Sequence, residues 1–418
     1  MKLPRLVKIR QQFTGPMVED IDKTIALQFD AVNLVKKITP GMSVAITAGS
    51  RGIANIHAII RASVMELRRM GAEPFIIPAM GSHGGATAEG QIEVLNSLGI
   101  TEEYCQAPIL SSMEVVQIGS TPDGVPVYID RNAWEADGIV LIGRIKVHTD
   151  FKSRFESGLM KMAAVGLGKH RQALQIHGYG VRGLIDIMPR VAQVVLDKAN
   201  ILCGVAILEN ALEQTAKIEA IPTTKIAERE AELLRESAGL MPKLPVEEID
   251  LLIVDEIGKN YSGTGMDTNI IGRIRILGME EPKTPRIKYV FARDLSAESH
   301  GNALGIGLAD LTTKKLLNKI DFQKMNENVL TSTFIHRAAI PIVLENDREA
   351  IQAALRVNWG VDPEKARIIR IPNTLHLEYL LVSEVLLPEL EAMEHIEIIG
   401  EPEEMRFSDE EYLPKWQH

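Results

Sequence analysis

Cysteine is scarce in this sequence: among 418 residues there are only Cys105 and Cys203. Two thiols cannot form a disulfide framework, a four-thiolate zinc site or a cysteine-held iron–sulfur cluster. Each cysteine lies in an ordinary segment, so we expect two unreactive core thiols in a reducing compartment. Because 45% of the residues are apolar and 24% are charged, the chain can instead bury sizeable hydrophobic cores.

Long apolar runs and basic runs are also missing. The most apolar stretches, such as residues 139–142, are far shorter than the roughly 20 residues of a membrane-spanning helix. No apolar segment follows the basic N-terminus, so no secretory signal is expected. Asp and Glu number 56 against 46 Lys and Arg, which gives a net charge of −10 and makes nucleic acid or an anionic membrane a poor partner. We therefore expect a cytoplasmic protein.

Short apolar runs alternate with amphipathic stretches along the chain, which is typical of the α/β class. There is no internal repeat and no low-complexity tract. A proline-containing link at residues 241–245 separates two such patterns. We therefore predict two α/β domains with mixed or parallel sheets, residues 1–244 and 245–418, and a ligand in the cleft between them.

The apolar runs and amphipathic stretches also place individual elements. The chain from His148 to Gly180 is predicted to be irregular. The predicted strands are residues 43–47, 75–80, 138–143, 203–208, 251–254, 289–291, 340–344 and 368–371, and the predicted helices are approximately residues 54–69, 87–98, 224–237, 308–319 and 347–358.

Three residues with useful side-chain chemistry each follow a predicted strand: Arg51, His83 and His148. The carboxyl ends of parallel strands meet at one edge of a sheet, where ligands bind, so these side chains are expected to converge. Arginine binds a planar carboxylate with two hydrogen bonds, and histidine exchanges protons near neutral pH. Each residue also has a structural alternative, because loop histidines are commonly only solvated and Arg51 could simply precede a helix.

The segment from His148 to His177 is the most informative part of the sequence. It holds three of the ten histidines, and Lys161 lies there in apolar, glycine-rich surroundings, where a lysine needs a partner or a covalent bond. Gly166-Leu167-Gly168-Lys169 lacks the frame of a phosphate-binding P-loop. The chain is therefore not interpreted as a nucleotide triphosphatase. No GxGxxG fingerprint follows the first strand either, which counts against a dinucleotide dehydrogenase.

With these motifs the sequence resembles the lactate racemases that depend on a nickel-pincer nucleotide, over most of its first 250 residues. The resemblance implies two α/β domains and a cofactor, pyridinium bisthiocarboxylic acid mononucleotide, which holds nickel and is attached to a lysine. It also implies maturation enzymes as partners and hydride transfer to the cofactor while two histidines move protons. The early turn, residues 48–52, lacks the aspartate usual in that family, which indicates a divergent member.

The resemblance assigns roles to individual residues. His83, within Gly81-Ser82-His83, and His148 correspond to the two catalytic histidines. Lys161 corresponds to the tethering lysine, and His177, 16 positions later, corresponds to the nickel ligand. The remaining expected contacts are with the cofactor or substrate: Ser50 and Arg51 in the early turn, and Lys259 in a glycine-rich loop of the second domain, where ordinary loop glycines are an equal explanation.

Three hypotheses follow. The first is an isomerase that racemises or epimerises a 2-hydroxy acid, possibly a sugar acid, and that could form homo-oligomers. The second is a non-catalytic protein that binds a metal or an anionic metabolite, with His148, His170 and His177 as the histidines to watch. The third, a metal hydrolase, lacks a compact ligand motif.

Overall fold

A computed structural model describes residues 1–416. The chain folds into two compact units, a central unit of residues 15–241 and a terminal unit made of residues 1–14 and the chain from Pro242 onward. The observed division after Met241 lies three residues before the expected one at residue 244. The first 14 residues, expected in the first domain, belong instead to the terminal unit.

The described residues, 1–416, contain fifteen strands. They are β1 Leu6–Gln11, β2 Ser43–Ala48, β3 Glu73–Pro78, β4 Val115–Ser120, β5 Pro126–Asp130, β6 Gly138–Arg144, β7 Ile201–Glu209, β8 Thr215–Pro222, β9 Glu248–Ile257, β10 Arg286–Leu295, β11 Leu311–Thr313, β12 Ile342–Leu344, β13 Ile368–Ile371, β14 Tyr379–Ser383 and β15 Ile396–Glu403.

Fifteen α-helices, several of a single turn, accompany the strands in residues 1–416. They are α1 Ile21–Ala31, α2 Ile56–Arg69, α3 Ala88–Ser97, α4 Glu102–Cys105, α5 Arg131–Glu135, α6 Leu159–Lys161, α7 Lys169–His177, α8 Gly180–Arg182, α9 Met188–Lys198, α10 Ile226–Leu240, α11 Thr268–Ile271, α12 Lys314–Leu317, α13 Phe322–Ser332, α14 Asp347–Val357 and α15 Leu387–Leu390. None of the helices in this part of the chain is long and apolar enough to cross a membrane.

The central unit is built on a five-stranded sheet of order β3-β2-β6-β7-β8. The first four strands are parallel, and β8 pairs antiparallel with β7. Their buried apolar side chains form one core with the inner face of α2 and with α1. Cys105 and Cys203 are free thiols in this core, and burial raises their pKa values to about 11 and about 12. Both are therefore unreactive, as expected.

The predicted irregular segment from His148 to Gly180 is instead largely helical from Leu159 onward. A π-helical stretch, Met162–Gly166, connects α6 to the region of α7. Glycines in and directly after this stretch permit close packing. A Cβ on Gly166 would lie 2.8 Å from the Ala79 carbonyl oxygen, and a Cβ on Gly168 would lie 2.4 Å from the Ala164 carbonyl oxygen. The prediction was wrong from Leu159 onward because these glycines lie within helical turns, where they allow close packing.

The terminal unit contains an eight-stranded mixed sheet of order β12-β11-β10-β9-β13-β14-β1-β15. Its first five strands are parallel, and the last three add antiparallel. The predicted helix over residues 308–319 is wrong in part, because Leu311–Thr313 pairs with β10 and only Lys314–Leu317 is helical. Both units are α/β, which confirms the predicted fold class.

Candidate active site

Three predicted functional residues follow neighbouring parallel strands of the central sheet. Arg51 lies three residues beyond the end of β2, His83 five beyond β3 and His148 four beyond β6. Since β3, β2 and β6 are adjacent and parallel, their carboxyl ends form one edge of the sheet. The convergence expected from the sequence is therefore present in the fold.

His83 and Arg51 are close enough to Lys161 for their charges to interact. Burial lowers the pKa of His83 to about 4, and the positive charges of Arg51 and Lys161 contribute to this decrease. Burial and the neighbouring Arg144 also lower the pKa of Arg51. The Arg51 guanidinium makes no hydrogen bond or ion pair with any other residue in the described part of the chain. It is thus a cation without a fixed partner beside a neutral imidazole.

Glu156 and Phe151 hold His148 in place. The buried carboxylate of Glu156 accepts hydrogen bonds from the backbone N–H of His148 and, at 3.2 Å, from that of Ser153. Burial raises the pKa of this carboxyl group, and nearby Lys152 opposes the rise. The Phe151 ring lies against the imidazole, with 4.5 Å between the ring centroids. The loop after β6 therefore presents His148 in a defined position.

The imidazole of His148 touches Lys161 on one side and Asp150 on the other. Its Nε2 lies 2.9 Å from the Lys161 Nζ, and its Nδ1 accepts a hydrogen bond of 3.0 Å from the backbone N–H of Asp150. The Asp150 Oδ2 is 3.8 Å from the same Nδ1. The structure thus brings together two residues that are 13 positions apart in the sequence.

Lys161 sits at the end of α6, and Glu230 of α10 caps the start of that short helix. The Glu230 Oε2 accepts the backbone N–H of Met160 at 2.8 Å. A Cβ on Gly158 would come within 2.4 Å of Glu230 Oε1, so glycine is needed where the carboxylate approaches. Burial lowers the pKa of Lys161 to about 8; the negative charge of Asp150 opposes this decrease, and Arg51 adds to it. Lys161 is therefore unprotonated in an appreciable fraction near neutral pH.

His177, the last residue of α7, belongs to the same electrostatic neighbourhood. The residue is exposed to solvent, but partial desolvation of its ring still lowers its pKa, and the charge of Lys161 lowers it further while Asp150 opposes both. Its imidazole is consequently neutral near pH 7 and has a lone pair available for a metal. Among residues 1–416, no group of three or more His, Cys, Asp or Glu side chains is arranged to hold a metal ion.

Lys169 and Gln91 have structural roles close to this site. The buried Nζ of Lys169 lies 3.0 Å from Asp130 Oδ2 and donates to Gln91 Oε1 at 3.1 Å. Gln91 in turn donates to the carbonyl oxygens of Gly81 and His83, at 3.0 and 3.2 Å. The lysine of the rejected P-loop motif therefore supports the loop that carries His83.

Two other predicted contacts are placed as follows. Ser50 directly precedes Arg51 in the turn after β2. Lys259 belongs to the terminal unit, in the loop after β9; its backbone N–H donates to Ser299 Oγ at 2.9 Å and its Nζ donates to the Gly263 carbonyl at 2.7 Å. These contacts fit the alternative of an ordinary glycine-containing loop, and a role for Lys259 stays a prediction.

Three acidic residues at this site were not predicted from the sequence: Asp150, Glu156 and Glu230. Asp150 and Glu156 lie within eight positions of His148, so two acidic residues close to a candidate histidine were a usable signal. Glu230 is 70 positions from Met160, and nothing in the sequence connects the two.

Comparison with known proteins gives a family match for part of the chain. Residues 10–182 match the model of the lactate racemase N-terminal domain. This range contains Arg51, His83, His148, Lys161 and His177. No curated protein sequence matches the chain.

The fold can also be compared with solved structures. The chain is similar to the lactate racemase apoprotein of Thermoanaerobacterium thermosaccharolyticum, with 12% identity and a TM-score of 0.52, over 88% of this chain and 98% of that one. It is also similar to a protein from Thermotoga maritima, with 14% identity and a TM-score of 0.48, over 87% and 98% of the two chains. The first of these matches shows a shared fold.

Proposed function

We propose that the chain is an isomerase that racemises or epimerises a 2-hydroxy acid, and the match of residues 10–182 to the lactate racemase N-terminal domain supports this proposal. The observation that carries this proposal is the 2.9 Å contact between His148 Nε2 and Lys161 Nζ. It places an imidazole suited to proton exchange directly beside an amine suited to a covalent tether. Both lie at the sheet edge where Arg51 and His83 are found.

A lysine-tethered nickel-pincer nucleotide is the proposed cofactor, and the residues present fit it. A tether requires an unprotonated amine, and Lys161 has a pKa of about 8. A metal ligand requires an unprotonated imidazole, and the pKa of His177 is lowered. Lys161 would hold the organic part and His177 the nickel. When bound, such a cofactor accepts and returns the hydrogen and electron pair of a carbinol C–H bond.

Arg51 is the proposed anchor for the substrate carboxylate. Its guanidinium makes no hydrogen bond or ion pair among the described residues. Burial and the nearby Arg144 lower its pKa, and the negative charge of Asp150 opposes this decrease only in part. A bound carboxylate would compensate the positive charge of Arg51 with two parallel hydrogen bonds. The small anionic substrate is thereby oriented with its C2 hydroxyl group toward the histidines.

His83 and His148 are the proposed acid–base pair. His83 is neutral above a pH of about 4, so at pH 7 its lone pair can accept the hydroxyl proton. The two histidines follow different strands, β3 and β6, and can therefore approach the substrate from different directions. One removes the hydroxyl proton while the other supplies a proton when the planar 2-oxo acid is reduced on its opposite face.

A non-catalytic protein for anionic metabolites is the second candidate, because an unpartnered Arg51 would bind a carboxylate without any reaction. The deciding experiment uses protein produced together with the cofactor maturation enzymes. We expect a visible absorbance band, bound nickel, and interconversion of the isomers of at least one acid in a panel of 2-hydroxy and sugar acids. A coloured, nickel-loaded protein that binds these acids but converts none of them would favour the non-catalytic candidate.

A further inference from the structure

The contacts of His148 determine which of its ring nitrogens carries the proton. Nδ1 accepts the backbone N–H of Asp150 at 3.0 Å, so Nδ1 cannot itself be protonated. The proton of the neutral ring is thereby assigned to Nε2, which lies 2.9 Å from the Lys161 Nζ. An Nε2–H donor requires an acceptor, and a lysine can accept only as a neutral amine. When Lys161 is unprotonated, which requires a pH above its pKa of about 8, Nε2–H therefore donates to the lone pair of the Lys161 amine.

Acylation of Lys161 would reverse this hydrogen bond. When the amine attacks an activated acyl carbon, a C–N bond forms, the leaving group departs with its bonding electron pair, and one amine proton is released. The resulting amide nitrogen keeps one N–H, which donates, and its lone pair is delocalised into the carbonyl group. Two N–H donors, one on each side, would then face each other across the same 2.9 Å contact. The imidazole must exchange its proton to remove this conflict.

Asp150 is placed to receive the relocated proton. Its Oδ2 lies 3.8 Å from His148 Nδ1, and a small rotation of the side chain brings the two atoms within hydrogen-bonding distance. The Asp150 side chain is only partly exposed, as is that of His148. A carboxylate that accepts an Nδ1–H fixes the ring as the tautomer whose Nε2 has the free lone pair.

We propose that Asp150 is the positioning residue of His148 and that it determines the tautomer in both states of Lys161. With a free amine, the Asp150 backbone N–H holds Nδ1 as an acceptor and the proton stays on Nε2. With an acylated Lys161, the Asp150 carboxylate accepts Nδ1–H and Nε2 becomes the proton acceptor. An unprotonated and unmodified Lys161 thus keeps Nε2 of His148 from acting as a base, and acylation of Lys161 removes this block. This proposal rests on the proposed function, in which Lys161 is the tether.

The test measures the His148 tautomer and needs neither cofactor nor activity. Nε-acetyllysine is incorporated at position 161 during translation, and the ring nitrogens are observed by ¹⁵N NMR in histidine-labelled protein, with His148 assigned from the His148→Gln variant. With both spectra recorded at about pH 9.5, where Lys161 with its pKa of about 8 is mainly unprotonated, we expect the Nε2–H tautomer in the unmodified chain and the Nδ1–H tautomer in the acetylated chain. The same tautomer in both chains would overturn the proposal.

Two controls separate the effect of acetylating Lys161 from the effect of the Asp150 carboxylate. Acetyllysine at the exposed Lys225 of the same unit should leave the tautomer of His148 unchanged. Asp150→Ala keeps the backbone N–H, so the unmodified variant should retain Nε2–H, whereas its acetylated form should lose the uniform Nδ1–H state. An acetylated Asp150→Ala chain that is still entirely Nδ1–H would show that the carboxylate has no such role.

The tautomer result can be distinguished both from a failure of the modified protein to fold and from a failure of the proposed function. If the translated acetyl-protein does not fold, the folded native chain is acetylated with an activated ester, with Lys161→Arg as the blank, and the same spectra are compared. Because the acetyl group replaces the cofactor, the tautomer result is independent of whether Lys161 is the tether. The mass of the matured protein tests that separately.

Discussion

Glu230 Oε2 accepts the backbone N–H of Met160 at 2.8 Å and thereby ties α10 to the short helix that ends at Lys161. The carboxyl group is buried, and burial raises its pKa to about 7. The orientation of the candidate tether thus depends on an acidic group that is far away in the sequence. This arrangement makes the stability of the turn sensitive to pH.

The first prediction concerns this pH dependence. The pKa of Glu230 is about 7 in the folded chain against an ordinary value of 4.5 for glutamate, so the unfolded chain loses its proton first as pH rises. The free energy of unfolding should therefore fall between these pH values, by at most about 1.4 kcal/mol per pH unit from this group. Urea unfolding at pH 5 and pH 8 should show a smaller decrease in Glu230→Gln than in the wild type. The exposed Glu232→Gln is the matched control, and an equal decrease in all three proteins would contradict the prediction.

Strand-end positions were the part of the site that the sequence could predict. Arg51, His83 and His148 follow apolar runs that really are parallel strands, and the rule that such ends share an edge needs no other information. Glu230 was not predictable in the same way, because its contact with Met160 depends on how α10 packs in the folded unit.

Prediction of the fold from the sequence was limited in the same way. Apolar periodicity located most central strands within a few residues, but it could not show that β1 pairs with β14 and β15 at the other end of the chain. Nor could it show that the glycines near Lys161 serve close packing within helical turns. Both depend on contacts between segments that are distant in the sequence.

The second prediction concerns the tether. Lys161 should carry the covalent cofactor in protein produced with the maturation enzymes, because its pKa of about 8 provides unprotonated amine. Intact-protein mass spectrometry should show the adduct in the wild type and its loss in Lys161→Ala. Lys225→Ala is the control and should keep the adduct. An adduct that survives in Lys161→Ala would exclude Lys161 as the tether.

The third prediction concerns nickel. His177 has a lowered pKa and partial access to solvent at the end of α7, so its removal should cost nickel but not the fold. We expect His177→Ala to contain much less nickel than the wild type while its circular dichroism spectrum and unfolding midpoint stay unchanged. Equal nickel content in both proteins, measured by elemental analysis, would transfer the ligand role to another residue, with His170 the first to examine.

The fourth prediction concerns the buried pair of Lys169 and Asp130. Both side chains are fully buried, and 3.0 Å separates Lys169 Nζ from Asp130 Oδ2. Lys169→Met leaves a buried carboxylate without its partner, which should lower the free energy of unfolding by about 3–5 kcal/mol. Adding Asp130→Asn removes the unpaired charge and should restore part of this loss, because the amide can still accept the Ala133 N–H. A double variant no more stable than Lys169→Met in urea unfolding would argue against the charge explanation.

The last prediction concerns proton exchange. Positioned acid–base groups contribute about 10²–10⁴ in rate, so His83→Ala and His148→Ala should each slow isomerisation by that factor. Both directions must slow equally, because a catalyst does not change the equilibrium between the two isomers. Cofactor attachment at Lys161 should persist in His83→Ala, which the mass of the protein checks before the rates are compared.

The pH profile distinguishes a proton-accepting His83 from a merely structural one. Its pKa of about 4 keeps the ring neutral at ordinary pH, so a rate that depends on this base falls only as pH decreases toward 4. The low-pH limb should therefore disappear from the residual activity of His83→Ala if the chain remains folded there by circular dichroism. A variant with near wild-type turnover, or with the same limb, would show that His83 does not accept the proton. The limb would then belong to another group at the edge of the central sheet.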